Sequence, residues 1–142
     1  MERKASAVWE GTLREGRGTM SAPSGVLRDT PYTFSSRFES GTGTNPEELL
    51  AAAHAGCFSM ALSGRLTAAG LTPERIATTA TVTLEKLEAG FTITAVHLET
   101  RARVPGATDA TFREAALAAG ETCPVSRLFK ARITVDARLE QG

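Results

Sequence analysis

Cysteine is nearly absent: only Cys57 and Cys123 occur in 142 residues. They form no C-x-x-C pair and no zinc-ribbon spacing, so neither a local dithiol motif nor a ready-made zinc site is written into the chain. Net charge is absent too, because 16 basic residues balance 16 acidic ones. With no basic block and no aromatic–basic stripe, nucleic acid is not an expected partner. No Gly-rich phosphate loop is present. The most apolar stretch, Leu49 to Leu62, is interrupted by His54 and Ser59 and is too short to span a bilayer, so no membrane role is expected. The first residues, MERKASAVWEG, carry positive charge with no apolar run behind it, unlike a secretory signal. The expectation is a cytoplasmic protein whose two cysteines are reduced thiols and not a structural staple.

Apolar residues make up 42% of the chain, enough for one domain over residues 1–142 with a real core. Its main feature runs from Asn45 to Gly70, NPEELLAAAHAGCFSMALSGRLTAAG. Asn45 suits an N-cap, Pro46 the first helical position, and Glu47 and Glu48 the positive end of the helix. Gly70 and Pro73 suit its end. Such a helix is roughly 36 Å long at 1.5 Å per residue. Its middle is apolar or small on nearly every face, so burial all round is expected.

Around it the chain reads mostly as strands. Ala5 to Thr12 alternates with Trp9 on the packed face, Thr19–Ser21 returns, and Tyr32 to Phe38 alternates again with the aromatics opposite Arg37. Residues 76–84 and 94–104 form a long hairpin about the turn at Glu88–Gly90, with a bulge or a second buried patch expected where Phe91 and Ile93 break the alternation. Phe112, Ala115, Ala116 and Ala119 mark a second helix, capped by Thr108 or Asp109 and ending near Gly120. Cys123 can cap a short helical turn begun by Pro124, and residues 131–139 read as a final antiparallel strand. This order makes an α+β domain. One sheet and one shorter helix leave the long helix short of cover, which points to a second subunit.

Several residues could carry chemistry. Cys57 sits inside the apolar helix, where a cysteine ordinarily acts as a small hydrophobe. For it to be a nucleophile a cation must offset the burial that raises a thiol's pKa. Arg37 is the candidate cation, against the plain reading of a surface arginine. Glu48 stands three residues after Asn45, as in a capping box, or alternatively holds a guanidinium in a fork. Cys123 precedes an expected helix start at Pro124. If the two thiols lie close, one can become a sulfenic acid and the other condense with it. His54 shares a helix face with Cys57. Together with His97 and Cys123 these could in principle bind zinc, but His54 reads equally as a packing residue. Phe38, Phe58 and Met60 are candidate walls of an apolar pocket.

The chain also resembles the OsmC group of the OsmC/Ohr superfamily of thiol peroxidases. The resemblance is carried by W-E-G at 9–11, S-G-V-L at 24–27, R-F-E at 37–39, G-T-N-P-E-E-L at 43–49, A-A-H-A-G-C-F-S-M-A-L-S at 52–63, A-G-F at 89–91, V-P-G at 104–106 and C-P-V-S at 123–126. The Ohr group usually has H-x-x-C-P-Y-S before its last strand. Gly120 and Val125 stand at those His and Tyr positions here, so OsmC fits better.

The resemblance implies antiparallel sheets packed around a long buried central helix, in an intertwined homodimer. It implies reduction of organic hydroperoxides, and less efficiently of hydrogen peroxide, using a thiol or dithiol reductant, with no cofactor and no metal. Carried over by position, Cys57 is the peroxidatic cysteine and Cys123 the resolving one. Arg37 stabilises the thiolate, and Glu48 holds Arg37, from either subunit. The alternative is a non-enzymatic small-ligand or zinc-binding stress protein using the same interface pocket.

Overall fold

A computed structural model describes residues 1–141. The chain forms two compact units that meet in sequence at Leu49 and Leu50, and each is described by itself.

In the first unit, β1 (Ser6–Glu10), β2 (Arg17–Ser21) and β3 (Thr30–Tyr32) form an antiparallel sheet in that order. Trp9 of β1 and Tyr32 of β3 flank Gly18 of β2 in the register, and their rings lie 5.4 Å apart across it.

The strand expected over Tyr32–Phe38 ends at Tyr32, and Phe34–Phe38 is a short helix, α1. Thr33 starts it: its hydroxyl accepts from the Ser36 N–H at 3.1 Å, and Ser36 Oγ accepts from the Thr33 N–H at 2.9 Å. That reciprocal cap satisfies two donors that a helix start otherwise leaves open. Phe34 and Phe38 are spaced to share a face in either conformation, and as a helical i,i+4 pair their rings stack 5.0 Å apart.

The long helix α2 runs from Pro46 to Ala68. Asn45 Oδ1 accepts from the Glu48 N–H at 2.8 Å at its start. At its end the Leu71 N–H reaches the Leu66 carbonyl at 2.9 Å and the Gly70 N–H reaches Thr67 at 3.0 Å. This paired ending needs a left-handed residue, and Gly70 provides it at φ +80°.

Burial all round does not hold within one chain. His54, Phe58, Leu62 and Leu66, at four-residue steps, are fully buried, whereas Ala52, Ala53, Gly56, Met60 and Gly64 are exposed. Among the described residues no helix is long and apolar enough to cross a membrane.

The second unit carries the sheet β4 (Arg75–Leu87), β5 (Gly90–Arg103), β6 (Arg132–Glu140), with β5 central. β4 and β5 form the expected hairpin, with a register shift between Thr83 and Leu84. On the packed face of β5, Val96, Leu98, Thr100 and Ala102 are fully buried, while His97, Arg101 and Arg103 on the other face are exposed. Val96, Leu98 and Ala102 share one core with Phe58, Leu62 and Leu66 of α2 and Phe112, Ala116 and Ala119 of α3 (Asp109–Thr122). Polar links cross it as well: Ser59 on α2 meets Thr78 at 2.8 Å, and Thr78 meets Thr100 at 3.1 Å.

Two sequence expectations are corrected here. The last strand pairs parallel to β5, not antiparallel, because α3 and α4 (Pro124–Leu128) carry the chain back along the sheet before β6 begins. The second helix does not stop at Gly120 but runs on to Thr122. Gly120 is there for a close approach: a Cβ on it would lie 2.5 Å from Val135 Cγ2 of β6.

That contact sets two effects against each other. Replacing an interior helical glycine by alanine gains about 1 kcal/mol of helix propensity, while overpacking against a stiff, β-branched neighbour costs about 1–3 kcal/mol. Gly120→Ala is therefore expected to lose about 1 kcal/mol or more in urea unfolding, and Val135→Ala in the same chain should recover part of that loss. A more stable Gly120→Ala would mean that the helix and strand are not in contact there.

Candidate active site

Cys57 and Cys123, distant in sequence, come together in the second unit. Both are free thiols: Cys57 is half-buried on α2, and Cys123 is 1% exposed at the start of α4. The two side chains are close enough to perturb one another, and the Val125 backbone N–H also acts on Cys57. Burial pushes the Cys57 thiol up from its ordinary value. The Val125 N–H pulls the other way, and the neighbouring Cys123 raises it further. This geometry suits a reversible disulfide, with one sulfur able to attack the other once it is oxidised. It does not by itself make Cys57 a thiolate.

Cys123 occupies the cap position anticipated for it. It precedes Pro124 at the first turn of α4, and its sulfur accepts from the Ser126 N–H at 3.4 Å. Ser126 Oγ lies 3.0 Å from the same sulfur. On its other side Ser126 Oγ is 2.7 Å from His54 Nε2. The His54 ring is fully buried and packs 5.4 Å from the ring of Phe129. Burial lowers its pKa, so the ring is held neutral.

His54 is thus more than a packing residue, and it has no zinc partners. Among the described residues no group of three or more His, Cys, Asp and Glu side chains could share an ion. His97, the fourth ligand considered, is exposed on β5 with Nδ1 against the hydroxyl of Thr134. The pairing of His54 with Ser126 was not read from the sequence. The available signal was a histidine inside an apolar run, which once buried must find a polar partner.

In the first unit Arg37 lies on α1, not on a strand. Its partner corrects the carboxylate named from the sequence: the guanidinium grips Glu47, not Glu48. Nε lies 3.2 Å from both Glu47 oxygens and Nη2 lies 2.8 Å from Oε1. Glu47 is buried while Arg37 stays partly exposed, and the forked ion pair fixes the guanidinium's plane. Arg37 also lies over the Phe38 ring, 5.0 Å from its centroid.

Glu48 serves the helix start instead, its carboxylate accepting from the Thr44 hydroxyl at 2.6 Å. One residue along a helix is a rotation of about 100°, so of two adjacent glutamates only one faces α1. Of the suggested pocket walls, Phe58 is fully buried in the core and Met60 is 79% exposed.

Comparisons with known proteins give the chain's relatives. A family model of OsmC-like proteins matches residues 39–138. The chain is 51% identical over 140 residues to the protein named peroxiredoxin OsmC of Escherichia coli K12, covering 99% of this chain and 98% of that one. Among solved structures it resembles the organic hydroperoxide resistance protein OhrB of Bacillus subtilis, at TM-score 0.65 and 26% identity over 96% of this chain and 98% of that one. It also resembles an OsmC-like protein of Mycoplasma pneumoniae, at TM-score 0.76 and 15% identity over 99% of each, which is a likeness of fold.

The buried imidazole gives a pH signature with a definite sign. A histidine in the unfolded chain titrates near 6.5, and folded His54 titrates below that. As pH falls through 6.5 the unfolded chain takes up a proton that the folded chain refuses. The stability tied to neutral His54 is therefore complete above that value and is lost on acidification. In denaturant titrations at about pH 7.5 and about pH 5, the advantage of wild type over His54→Phe should shrink at the lower pH. A constant difference would mean that position 54 does not titrate with folding.

Proposed function

The chain belongs to the OsmC-like family, and on that premise we propose that it is a two-cysteine peroxidase that reduces organic hydroperoxides, and less efficiently hydrogen peroxide. Peroxidase chemistry is what the curated relative's name states and what two thiols in contact can perform. The observation that carries the reading is the proximity of Cys57 to Cys123: Cys57 packs against the core cluster that contains Cys123, and Cys123 perturbs its thiol.

In this reading the Cys57 thiolate attacks one peroxide oxygen. The S–O bond forms, the O–O bond breaks, and the alkoxide leaves to be protonated as the alcohol. Cys57 is now a sulfenic acid. Cys123 attacks its sulfur, water departs, and a Cys57–Cys123 disulfide remains. An external thiol or dithiol reduces it by exchange.

Because burial opposes a Cys57 thiolate, the first step needs a positive charge. Arg37 is the proposed source, from the same or a second copy of the chain, with Glu47 holding its fork. A fixed guanidinium would stabilise both the thiolate and the leaving alkoxide. The reading takes residues 1–142 as one OsmC-like domain that needs no cofactor, and a cytoplasmic setting keeps the thiols reduced.

A homodimer is part of the proposal. The exposed face of α2, with Ala52, Ala53, Gly56, Met60 and Gly64, lacks cover within one chain, and small residues allow another backbone to approach closely. Sedimentation should give twice the chain mass for wild type, and Met60→Asp should shift it toward monomer. A monomeric wild type would end this part of the reading.

Activity is tested with cumene hydroperoxide and dithiothreitol. Cys57→Ser should abolish turnover, and Cys123→Ser should complete one round and then stall or over-oxidise at Cys57. Arg37→Ala and Glu47→Gln should slow the first step by about 100-fold and about 10-fold, the scale of a lost charged hydrogen bond in a transition state. Glu48→Gln should stay within about 2-fold of wild type, as expected for a helix-start residue. Inactive wild type, or full activity in Cys57→Ser, would refute the peroxidase. Inactive wild type carrying stoichiometric zinc would favour the binding protein instead.

A further inference from the structure

The peroxidase scheme assigns the second step to Cys123 but says nothing about what readies that sulfur. Cys123 is 1% exposed, with Arg127 and Lys130 nearby in sequence both exposed to solvent. It belongs to the apolar core, and its hydrogen-bond partner Ser126 is neutral. Ser126 offers its sulfur two contacts, Oγ at 3.0 Å and the backbone N–H at 3.4 Å, and His54 Nε2 stands 2.7 Å behind that hydroxyl.

The direction of this chain follows from one unpaired atom. His54 Nδ1 is buried with no hydrogen-bond partner among the described residues. A neutral imidazole has a single N–H. Placed on Nδ1, that N–H would be a buried donor with no acceptor, among the rarest and costliest arrangements in a folded protein. Placed on Nε2, it donates to Ser126 Oγ, and only a bare nitrogen lone pair is left unpaired. With Oγ accepting from His54, the Ser126 hydroxyl proton is turned toward the Cys123 sulfur. The backbone N–H of Ser126 points to the same sulfur. With the hydroxyl so turned, both hydrogen bonds from Ser126 run toward Cys123.

We propose that His54 and Ser126 are positioning residues for the resolving step: the imidazole fixes the Ser126 hydroxyl, and that hydroxyl holds the Cys123 sulfur as a hydrogen-bond acceptor, aimed at Cys57. The inference rests on the resolving role proposed for Cys123. In the step itself Cys123 gives up its S–H proton and its sulfur pair forms the S–S bond to the Cys57 sulfenic sulfur. The S–O bond of Cys57 breaks with its electron pair, and the departing hydroxide takes up one proton to become water. Cys123 is oxidised and the Cys57 sulfur reduced, with no other reactant. The charge that develops on Cys123 is met by donors already in place, so little reorganisation is needed. His54 never carries the proton, in keeping with a ring that burial keeps neutral.

The test separates the two chemical steps. Reduced protein is mixed with one equivalent of cumene hydroperoxide. Peroxide loss reports the first step, and quenched mass spectrometry reports Cys57 sulfenic acid, disulfide and sulfinic acid. Ser126→Ala should leave the first step unchanged and slow disulfide formation about 10-fold or more, the weight of one hydrogen bond to a charged group. Sulfinic acid should then accumulate at Cys57.

Ser126→Thr, which keeps the hydroxyl, should restore the wild-type rate. His54→Phe keeps the ring packed against Phe129 without an N–H, so it should slow only the second step, by a few-fold, and it carries the test if Ser126→Ala does not fold. Resolution at the wild-type rate in both Ser126→Ala and His54→Phe would overturn the proposal. So would equal slowing of both steps, the mark of a merely structural role. Cys123→Ser is measured alongside. If it sustains turnover without over-oxidation, the resolving role itself has failed. If it stalls while Ser126→Ala and His54→Phe resolve normally, only the positioning role has failed.

Discussion

The second unit depends on the stripe of four buried side chains along α2. His54, Phe58, Leu62 and Leu66 recur every four residues and are fully buried among the described residues. Three of them are hydrocarbon and fill the core against β5 and α3. The first is an imidazole, and that single change of chemistry turns the end of the stripe into a site. A polar ring at full burial requires a polar partner, Ser126 meets the requirement, and Ser126 lies in the turn that Cys123 caps. The same geometry that closes the core therefore brings Cys123 to the flank of α2 where Cys57 sits.

Much of this was legible in the chain. The ends of α2, the β4–β5 hairpin with its irregularity near the turn, and the Cys123–Pro124 start of α4 follow from caps, alternation and turn chemistry, which act over a few residues. What was not legible depends on partners. Phe34 and Phe38 satisfy a strand's period and a helix's equally, and the Thr33–Ser36 cap decides between them. Alternation in β6 says which residues face the core, but not which neighbour the strand lies beside or in which direction. Gly120 looked like a helix end because the residue that needs its missing Cβ, Val135, belongs to a later strand.

The site divides in the same way. The two cysteines could be named as chemically interesting from their types and settings, and the family resemblance assigned them roles, but no local rule places residues so distant in sequence side by side. The choice between Glu47 and Glu48 turned on helix phase relative to α1, which a run of two glutamates does not reveal. A histidine three residues from a cysteine suggested a metal. The structure gives it a serine instead, and so an orienting task in place of a coordinating one.

The parallel pairing of β6 with β5 also has a bearing on how the protein is made. A hairpin such as β4–β5 needs only a tight turn, so it can form early and locally. β6 can join only after the whole segment through α3 and α4 has been looped back, a closure that costs entropy before any contact repays it. Cys123 lies inside that loop. The two thiols therefore meet only when the segment of α3 and α4 packs against α2, and until then each sulfur lacks the neighbour that would rescue it from irreversible oxidation.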